Sequence, residues 1–266
     1  NQYDSSTRTI NLQNFETLRG GTANDSFNFA DSASFAGAID GGDGNTTLSF
    51  AGNTNNRGIT LTAVDLNDGF AGQIDTSAST FTNIDILAGG NGTDTLVGAD
   101  LVASWEIDGT DRYIVGAHDL EFSAFELLQG GSLADSFLFS GSAVFNGSID
   151  GTAGNDSLDF SAYSSARSVA LNGVGATDGI AGTEAAITGS FTNIDNIIGH
   201  AAGGDTLTGA DQIATFSFGI DTRYTIGTKF AVFSDFESLV GGTQTDTFAF
   251  TGSANGRMPR TLSKHI

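Results

Sequence analysis

The segment Phe15-Glu16-Thr17-Leu18-Arg19-Gly20-Gly21 occurs three times in this chain, and its recurrence indicates the architecture. It returns as FELLQGG at 125–131 and as FESLVGG at 236–242. The copies begin 110 and 111 residues apart (125 − 15 = 110; 236 − 125 = 111). A second motif repeats between them, as FTNIDIL at 81–87 and FTNIDNI at 191–197. The chain is therefore built from a long repeat.

A shorter period lies inside this repeat. One apolar position that precedes a turn recurs every 20 to 26 residues, at Leu18, Ile39, Leu61, Leu87, Ile107 and Leu128. Short β-prone units of this length, separated by Gly-rich turns, are typical of solenoids. We expect an all-β, parallel β-helix with coils of 21–22 residues, five per repeat, right-handed by the chirality of parallel crossovers. About twelve coils spaced by about 4.8 Å would span roughly 55–60 Å.

The repeats define the expected domain organisation. We assign 1–256 to one elongated body, with repeats at 12–121, 122–232 and, in part, 233–256. The last ten residues, 257–266, do not follow the repeat, and they hold the single Pro together with Arg257, Arg260 and Lys264. The alternative architecture is a tandem of antiparallel β-sandwiches of about 110 residues, similar to immunoglobulin domains.

Composition agrees with a β-rich protein and argues against two kinds of interaction, with nucleic acid and across a membrane. The 266 residues include 37 Gly and 1 Pro, which suits tight corners between strands that need every backbone N–H. The formal net charge of −21, with only 10 Lys and Arg, predicts repulsion of nucleic acid. No apolar stretch is long enough to span a membrane. The chain has no Cys and its first residues do not resemble a signal peptide, so any export signal is expected elsewhere.

Aromatic side chains recur at the coil spacing, and we interpret them as internal ladders. Like residues stacked on adjacent coils can fill a narrow core at about 4.8 Å spacing. We expect two sets to point inward at equivalent places: Phe27, Phe137 and Phe248, and Leu18, Leu128 and Leu239. Exposed platforms that stack on sugars are the alternative.

Gly-rich turns that end in Asp before a strand are the strongest local motif, as in GGNGTDTL at 89–96 and GTAGNDSL at 151–158. They resemble the nonapeptide turns of the RTX, or haemolysin-type, calcium-binding family. The resemblance implies Ca²⁺ as a possible cofactor, with these candidate ligands: Asp94, Asp156, Asp25, Asp135, Asp205 and Asp246. In GGDGNTTL at 41–48, Thr46 takes the place of the Asp. The alternative is that each Asp caps its own turn by accepting backbone N–H groups.

Catalytic patterns are weak, and we assign no catalytic residue. His118, His200 and His265 are scattered, and His118 and Asp119 are neighbours that a strand would point to opposite faces. The acid–Arg–Tyr element at Asp111-Arg112-Tyr113 recurs around Arg223, which favours a role in the coil. A carbohydrate-active β-helix remains an alternative.

The whole 110-residue pattern resembles the long repeats of giant bacterial cell-surface and secreted proteins of the haemagglutinin or adhesin type. The resemblance implies an extracellular structural protein at the bacterial cell surface, serving as a stiff stalk or filament-forming segment. The expected partners are a second copy of the chain, stacked head to tail through Leu12–Phe29 and Phe233–Phe250, and a cell-surface polysaccharide. The main alternative is an RTX-like, calcium-responsive secretion module of a larger protein.

Overall fold

The computed structural model describes residues 15–31, 33, 35–65, 69–75, 79–250 and 259–263. Leu12, Arg257, Lys264 and His265 therefore lie outside the described residues. All regular elements within these ranges are β-strands, and they form two sheets of 14 and 13 strands. The expectation of an all-β, largely parallel protein is confirmed.

In the larger sheet, sheet A, the strands lie in the spatial order β1 (Thr17–Arg19), β3 (Ala38–Asp40), β7 (Ser79–Ile84), β6 (Phe70–Ile74), β5 (Gly58–Val64), β9 (Thr95–Val97), β13 (Leu127–Gln129), β15 (Ser148–Asp150), β19 (Ile187–Ile194), β18 (Ile180–Glu184), β17 (Ser168–Val174), β21 (Thr206–Thr208), β25 (Ser238–Val240) and β27 (Thr261–Ser263). In the smaller sheet, sheet B, the order is β2 (Ser26–Ala30), β4 (Thr47–Gly52), β8 (Ile86–Ala88), β12 (His118–Ser123), β11 (Arg112–Val115), β10 (Ala103–Ile107), β14 (Asp135–Gly141), β16 (Ser157–Tyr163), β20 (Asn196–Ile198), β24 (Lys229–Ser234), β23 (Thr222–Ile226), β22 (Ala214–Phe218) and β26 (Asp246–Phe250).

The chain alternates between the two sheets, but four three-stranded antiparallel meanders interrupt the alternation. They are β5–β6–β7 and β17–β18–β19 in sheet A, and β10–β11–β12 and β22–β23–β24 in sheet B. In each meander the three strands lie along the sheet in the reverse of their chain order. The first strand is therefore two positions further along the sheet than the third. Counting one strand position along a sheet as a row, a 110-residue repeat contributes six rows to each sheet.

The prediction of five uniform coils per repeat is therefore wrong. The apolar position that was followed through the sequence does not stay on one sheet, because Leu87 and Ile107 lie in sheet B whereas Leu61 and Leu128 lie in sheet A. A strand that turns back within its sheet and a strand that crosses to the other sheet have the same period-2 pattern. Residue spacing alone therefore did not separate the two.

Both sheets continue across the boundary between the repeats near residue 122. Strand β9 pairs in parallel with β13, and β10 pairs in parallel with β14. The alternative of separate antiparallel sandwiches does not describe this arrangement. Residues 261–263 of the tail also join sheet A, where Leu262 pairs with Leu239 in the register that Ile149 has with Leu128.

The core lies where side chains of the two sheets meet. The Phe70 ring of sheet A contacts the Tyr113 ring of sheet B, with 5.5 Å between ring centroids. Trp105 stacks on Phe137 in one repeat, and Phe216 stacks on Phe248 at the equivalent place in the next, with centroid distances of 5.6 and 4.9 Å. The inward position is confirmed for Phe137, Leu128 and Leu239, which are buried, and Phe27 and Phe248 are half-buried and pack against the core. Leu18 is half-buried.

Candidate functional site

The predicted site residues lie where a turn leads into a strand. In four of the turns the Asp side chain folds back, and its Oδ2 accepts a backbone N–H from a residue four or five positions earlier. The acceptor and donor pairs are Asp25 with Gly21, Asp94 with Gly90, Asp135 with Gly131 and Asp205 with His200. These four carboxylates cap their own turns.

Two of these residues, Asp94 and Asp205, also connect neighbouring rows of sheet A. Asp94 Oδ1 accepts the Arg57 N–H at 2.6 Å, and the Asp94 N–H is donated to Glu126 Oε2 at 2.7 Å. One repeat later, Asp205 Oδ1 accepts the Arg167 N–H, and the Asp205 N–H is donated to Glu237 Oε2 at 3.0 Å. A carboxylate in one row thus binds the backbone of the row before it.

In sheet B a carboxylate also binds the backbone of the row before it, but the N–H donor is not that of an Arg. Asp156 Oδ1 accepts the Asp135 N–H at 2.8 Å, and the Asp156 N–H is donated to Asp195 Oδ2 at 3.2 Å. Thr46 occupies the corresponding place in the first repeat, and its N–H is donated to Asp85 Oδ2 at 2.7 Å. Three carboxylates therefore follow one another in the second repeat at Asp135, Asp156 and Asp195.

Four members of these networks were not predicted as site residues: Glu126, Glu237, Asp85 and Asp195. Their signal was present in the sequence, because the two Glu belong to the repeated Phe-Glu motif and the two Asp end the repeated FTNID motif. A repeated carboxylate beside a buried strand indicates a hydrogen-bond acceptor for an adjacent backbone.

Burial raises the pKa of three carboxylates of sheet B, those of Asp135, Asp156 and Asp195. Burial raises the pKa of Asp135 to about 6, although hydrogen bonds from the Gly131 N–H and the Trp105 indole lower it. Burial raises the pKa of Asp156 to about 7, opposed by the Asp135 N–H and supported by the charges of Asp135, Asp195 and Asp178. Burial also raises the pKa of Asp195 and Asp205.

Asp156 differs from Asp94, Asp135 and Asp205. Its side chain is fully buried, and Oδ2 has no hydrogen-bond partner within the described residues. At Asp94, Asp135 and Asp205, by contrast, both carboxylate oxygens accept hydrogen bonds. Asp246 is 7% exposed and Asp25 is half-buried.

The donor set fits calcium poorly at most of these turns. Ca²⁺ takes six to eight oxygen ligands, whereas each turn supplies one carboxylate that already binds backbone N–H groups. Within the described ranges, no group of three or more His, Cys, Asp or Glu residues could hold a metal ion. At Asp156 Oδ2 a cation would meet a carboxylate oxygen without a competing hydrogen-bond donor among the described residues.

The remaining charged elements have structural contacts. Arg112 pairs with Glu106 at 2.5 Å and with Asp108 at 3.6 Å, and Arg223 pairs with Asp221 at 2.9 Å. His118 is half-buried on β12, where it lines a cleft of about 340 Å³, and Asp119 is exposed.

Among the described residues no helix is long and apolar enough to cross a membrane.

Comparison of the chain with protein-family models and with curated proteins returns no match.

We expect the stability of the chain to fall as the pH rises through the range in which buried Asp156 ionises. The pKa of Asp156 is raised from 3.8 to about 7 on folding, so the folded chain holds a proton that the unfolded chain releases. The free energy of unfolding therefore decreases between about pH 4 and pH 7, and Asn at this position should remove that part of the decrease. The charges that face this group belong to Asp135, Asp178 and Asp195.

Urea denaturation at pH 5.5 and pH 8 measures the effect. Asp156→Asn should reduce the difference between the two values and should be more stable than the wild type at pH 8. Asp119→Asn, at an exposed position, is the control and should keep the wild-type difference. If Asp156→Asn also kept it, the ionisation of Asp156 would not be the cause.

Proposed function

We propose that this chain is a stiff stalk or filament-forming segment of an extracellular bacterial surface adhesin or matrix fibre. The observation that carries the proposal is the continuity of the two sheets, whose 14 and 13 strands share one hydrophobic core from β3 to β25. A body that grows by adding rows in one direction extends without adding thickness, as repeat proteins do. This extension suits a spacer better than a compact binding domain.

The same observation supports a right-handed parallel solenoid as the finer architecture. Outside the four meanders the chain passes from one sheet to the other at every step, and parallel connections of this kind have a strongly preferred hand. The two sheets are then the two long walls of the coil, and the Asp-containing turns form its corners.

Self-association is part of the proposal. Strands β1 and β2 lie at one edge of the sheets, and β26 and β27 lie at the other. Phe15 is 53% exposed and Phe250 is 58% exposed at these two edges. Edge strands and exposed aromatic rings favour a head-to-tail contact that propagates.

A variant with a duplicated repeat tests the spacer proposal. Duplicating residues 122–232 should lengthen the particle by roughly 29 Å, since six rows at about 4.8 Å are added to each sheet, and should leave its cross-section unchanged. Small-angle X-ray scattering measures both quantities, with the original chain as the control. A gain below about 10 Å, or a wider cross-section, would contradict a body that grows in one dimension.

A calcium-responsive module is the second candidate, and the buried Asp156 Oδ2 is the observation that favours it. We expect millimolar Ca²⁺ to raise the melting temperature by only a few degrees, with Mg²⁺ almost as effective, because either ion screens a net charge of −21. Thermal melts in each salt at matched ionic strength make the comparison. A steep transition that requires Ca²⁺ and disappears in Asp156→Asn would instead establish the second candidate.

A further inference from the structure

A partly buried cavity of about 160 Å³ lies beside the core of the first repeat. Three aromatic rings line it, those of Phe29, Phe35 and Phe50, and the first and last of these stack with 5.2 Å between their centroids. Arg57 lies over the Phe50 ring at 5.4 Å and pairs with Asp75 at 2.6 Å. The cavity therefore combines aromatic walls with the ion pair of Arg57 and Asp75.

The equivalent place in the second repeat keeps the three Phe and the Arg, whereas Glu184 stands in place of Ile74. Phe139, Phe145, Phe160 and Arg167 stand 110 positions after Phe29, Phe35, Phe50 and Arg57. The rings of Phe139 and Phe160 are 5.0 Å apart, and Arg167 lies over Phe160 at 5.7 Å. Both distances are close to their counterparts in the first repeat.

Tyr163 fills this place in the second repeat. Its ring lies 4.0 Å from the Arg167 guanidinium carbon and makes an edge contact with Phe160 at 6.3 Å. Its hydroxyl donates a hydrogen bond to the Ala143 carbonyl at 3.0 Å, and the residue is 7% exposed. The second repeat thus carries its own phenol ring between these walls.

Asn53 stands at the corresponding position of the first repeat. The residue before it pairs in the same register, since Gly52 pairs with Ala30 as Ala162 pairs with Ser140. Strand β4 ends at Gly52, however, and the Asn53 N–H is donated to the Phe50 carbonyl at 2.7 Å. The amide side chain of Asn53 is hydrogen-bonded to the backbone, because its Oδ1 accepts the Asn55 N–H at 2.9 Å. No ring is supplied by the chain at this place among the described residues.

We propose that the cavity of the first repeat binds one phenolic ring, in the position that Tyr163 takes in the second repeat. The aromatic walls would cover the ring, and the Arg57 guanidinium would lie against its face in a cation–π contact. The Ala33 carbonyl is equivalent to that of Ala143 and would accept a hydrogen bond from the phenol hydroxyl. This bond would replace the long 3.5 Å contact that the Ala33 carbonyl makes with Arg57 Nη2. An apolar cavity of about 150 Å³ is large enough for one benzene ring. This activity is additional to a spacer role and does not depend on it.

Calorimetric titration with p-cresol, the side-chain analogue of tyrosine, tests the proposal in the full chain. The wild type should bind one equivalent, and Asn53→Tyr, which supplies the ring internally, should weaken binding at least tenfold. Tyr163→Ala should open the matching cavity and bind two equivalents, and the double variant should bind one. Melting temperatures show whether each variant is folded.

Two results would overturn the proposal: a wild type that does not bind p-cresol, or a folded Asn53→Tyr variant that binds it as tightly as the wild type. If Asn53→Tyr fails to fold, the count of one site in the wild type and two in Tyr163→Ala decides the matter alone. A parallel titration with N-acetyltyrosinamide distinguishes the source of the ring. Binding of this compound favours a tyrosine of another protein, and binding of p-cresol alone favours a small free phenol.

Discussion

Arg167→Met should lower the free energy of unfolding by about 3–5 kcal/mol, because it leaves a buried carboxylate without its cation. Arg167 pairs with Glu184, and their side chains are 8% and 0% exposed. Met is of similar length and keeps most of the apolar contact with Tyr163. The loss of unfolding free energy therefore reflects mainly the unpaired charge of Glu184, with little contribution from a cavity. Chemical denaturation at neutral pH gives the value directly.

The chain provides a matched control on its surface. Arg223 pairs with Asp221 at 2.9 Å, but their side chains are 43% and 49% exposed, so Arg223→Met should cost at most about 1 kcal/mol. Equal losses at both positions would show that burial does not govern the first pair. A double variant, Arg167→Met with Glu184→Leu, should recover most of the loss, because no isolated charge remains.

Phe137→Ala should cost about 3–5 kcal/mol through the cavity it leaves in the core. Phe137 is fully buried, and its ring stacks on Trp105 with a centroid distance of 5.6 Å. It pairs with Leu158 in the next row, so the loss also weakens contact between rows. The melting temperature and a urea titration both report this change.

Phe230→Ala is the control for this substitution. Phe230 is 38% exposed, and the Arg223 guanidinium lies over its ring at 4.5 Å. The expected loss is at most about 1 kcal/mol, the value of an exposed cation–π contact. If Phe137→Ala left the melting temperature unchanged, its ring would have to lie on the surface, as the sugar-stacking interpretation requires.

The parallel sheets could be predicted from the sequence, but the meanders could be predicted only in part. Val115 pairs with His118 across Gly116 and Ala117, and Gly116 has a φ of 62°, so this two-residue turn has the glycine that hairpins favour. Glu184 pairs with Ile187 across two Ala, and no turn residue marks that hairpin. The glycine indicates the first turn in the sequence, whereas nothing in the sequence indicates the turn across the two Ala.

The hydrogen bonds of the candidate site could likewise be predicted from the sequence only in part. Capping of a turn by its own Asp depends on residues four or five apart, and that alternative was recognised from the motif. The bonds between rows join Asp94 to Glu126 and Asp156 to Asp195, which are 32 and 39 residues apart. Those separations depend on where the meanders fall, so the partners could not be assigned before the topology was known. The raised pKa of Asp156 depends on its burial and on those partners, so it could not be predicted from the sequence either.

The placement of the meanders in both sheets balances the growth of the two sheets. Each meander adds two extra rows to its own sheet, roughly 10 Å along that sheet at about 4.8 Å per row. If every meander belonged to sheet A, that sheet would gain rows over the other with each repeat. One meander in each sheet gives both sheets six rows within 110 residues, so neither sheet outgrows the other as repeats are added. The 110-residue repeat is thus the unit that contains one meander of each sheet.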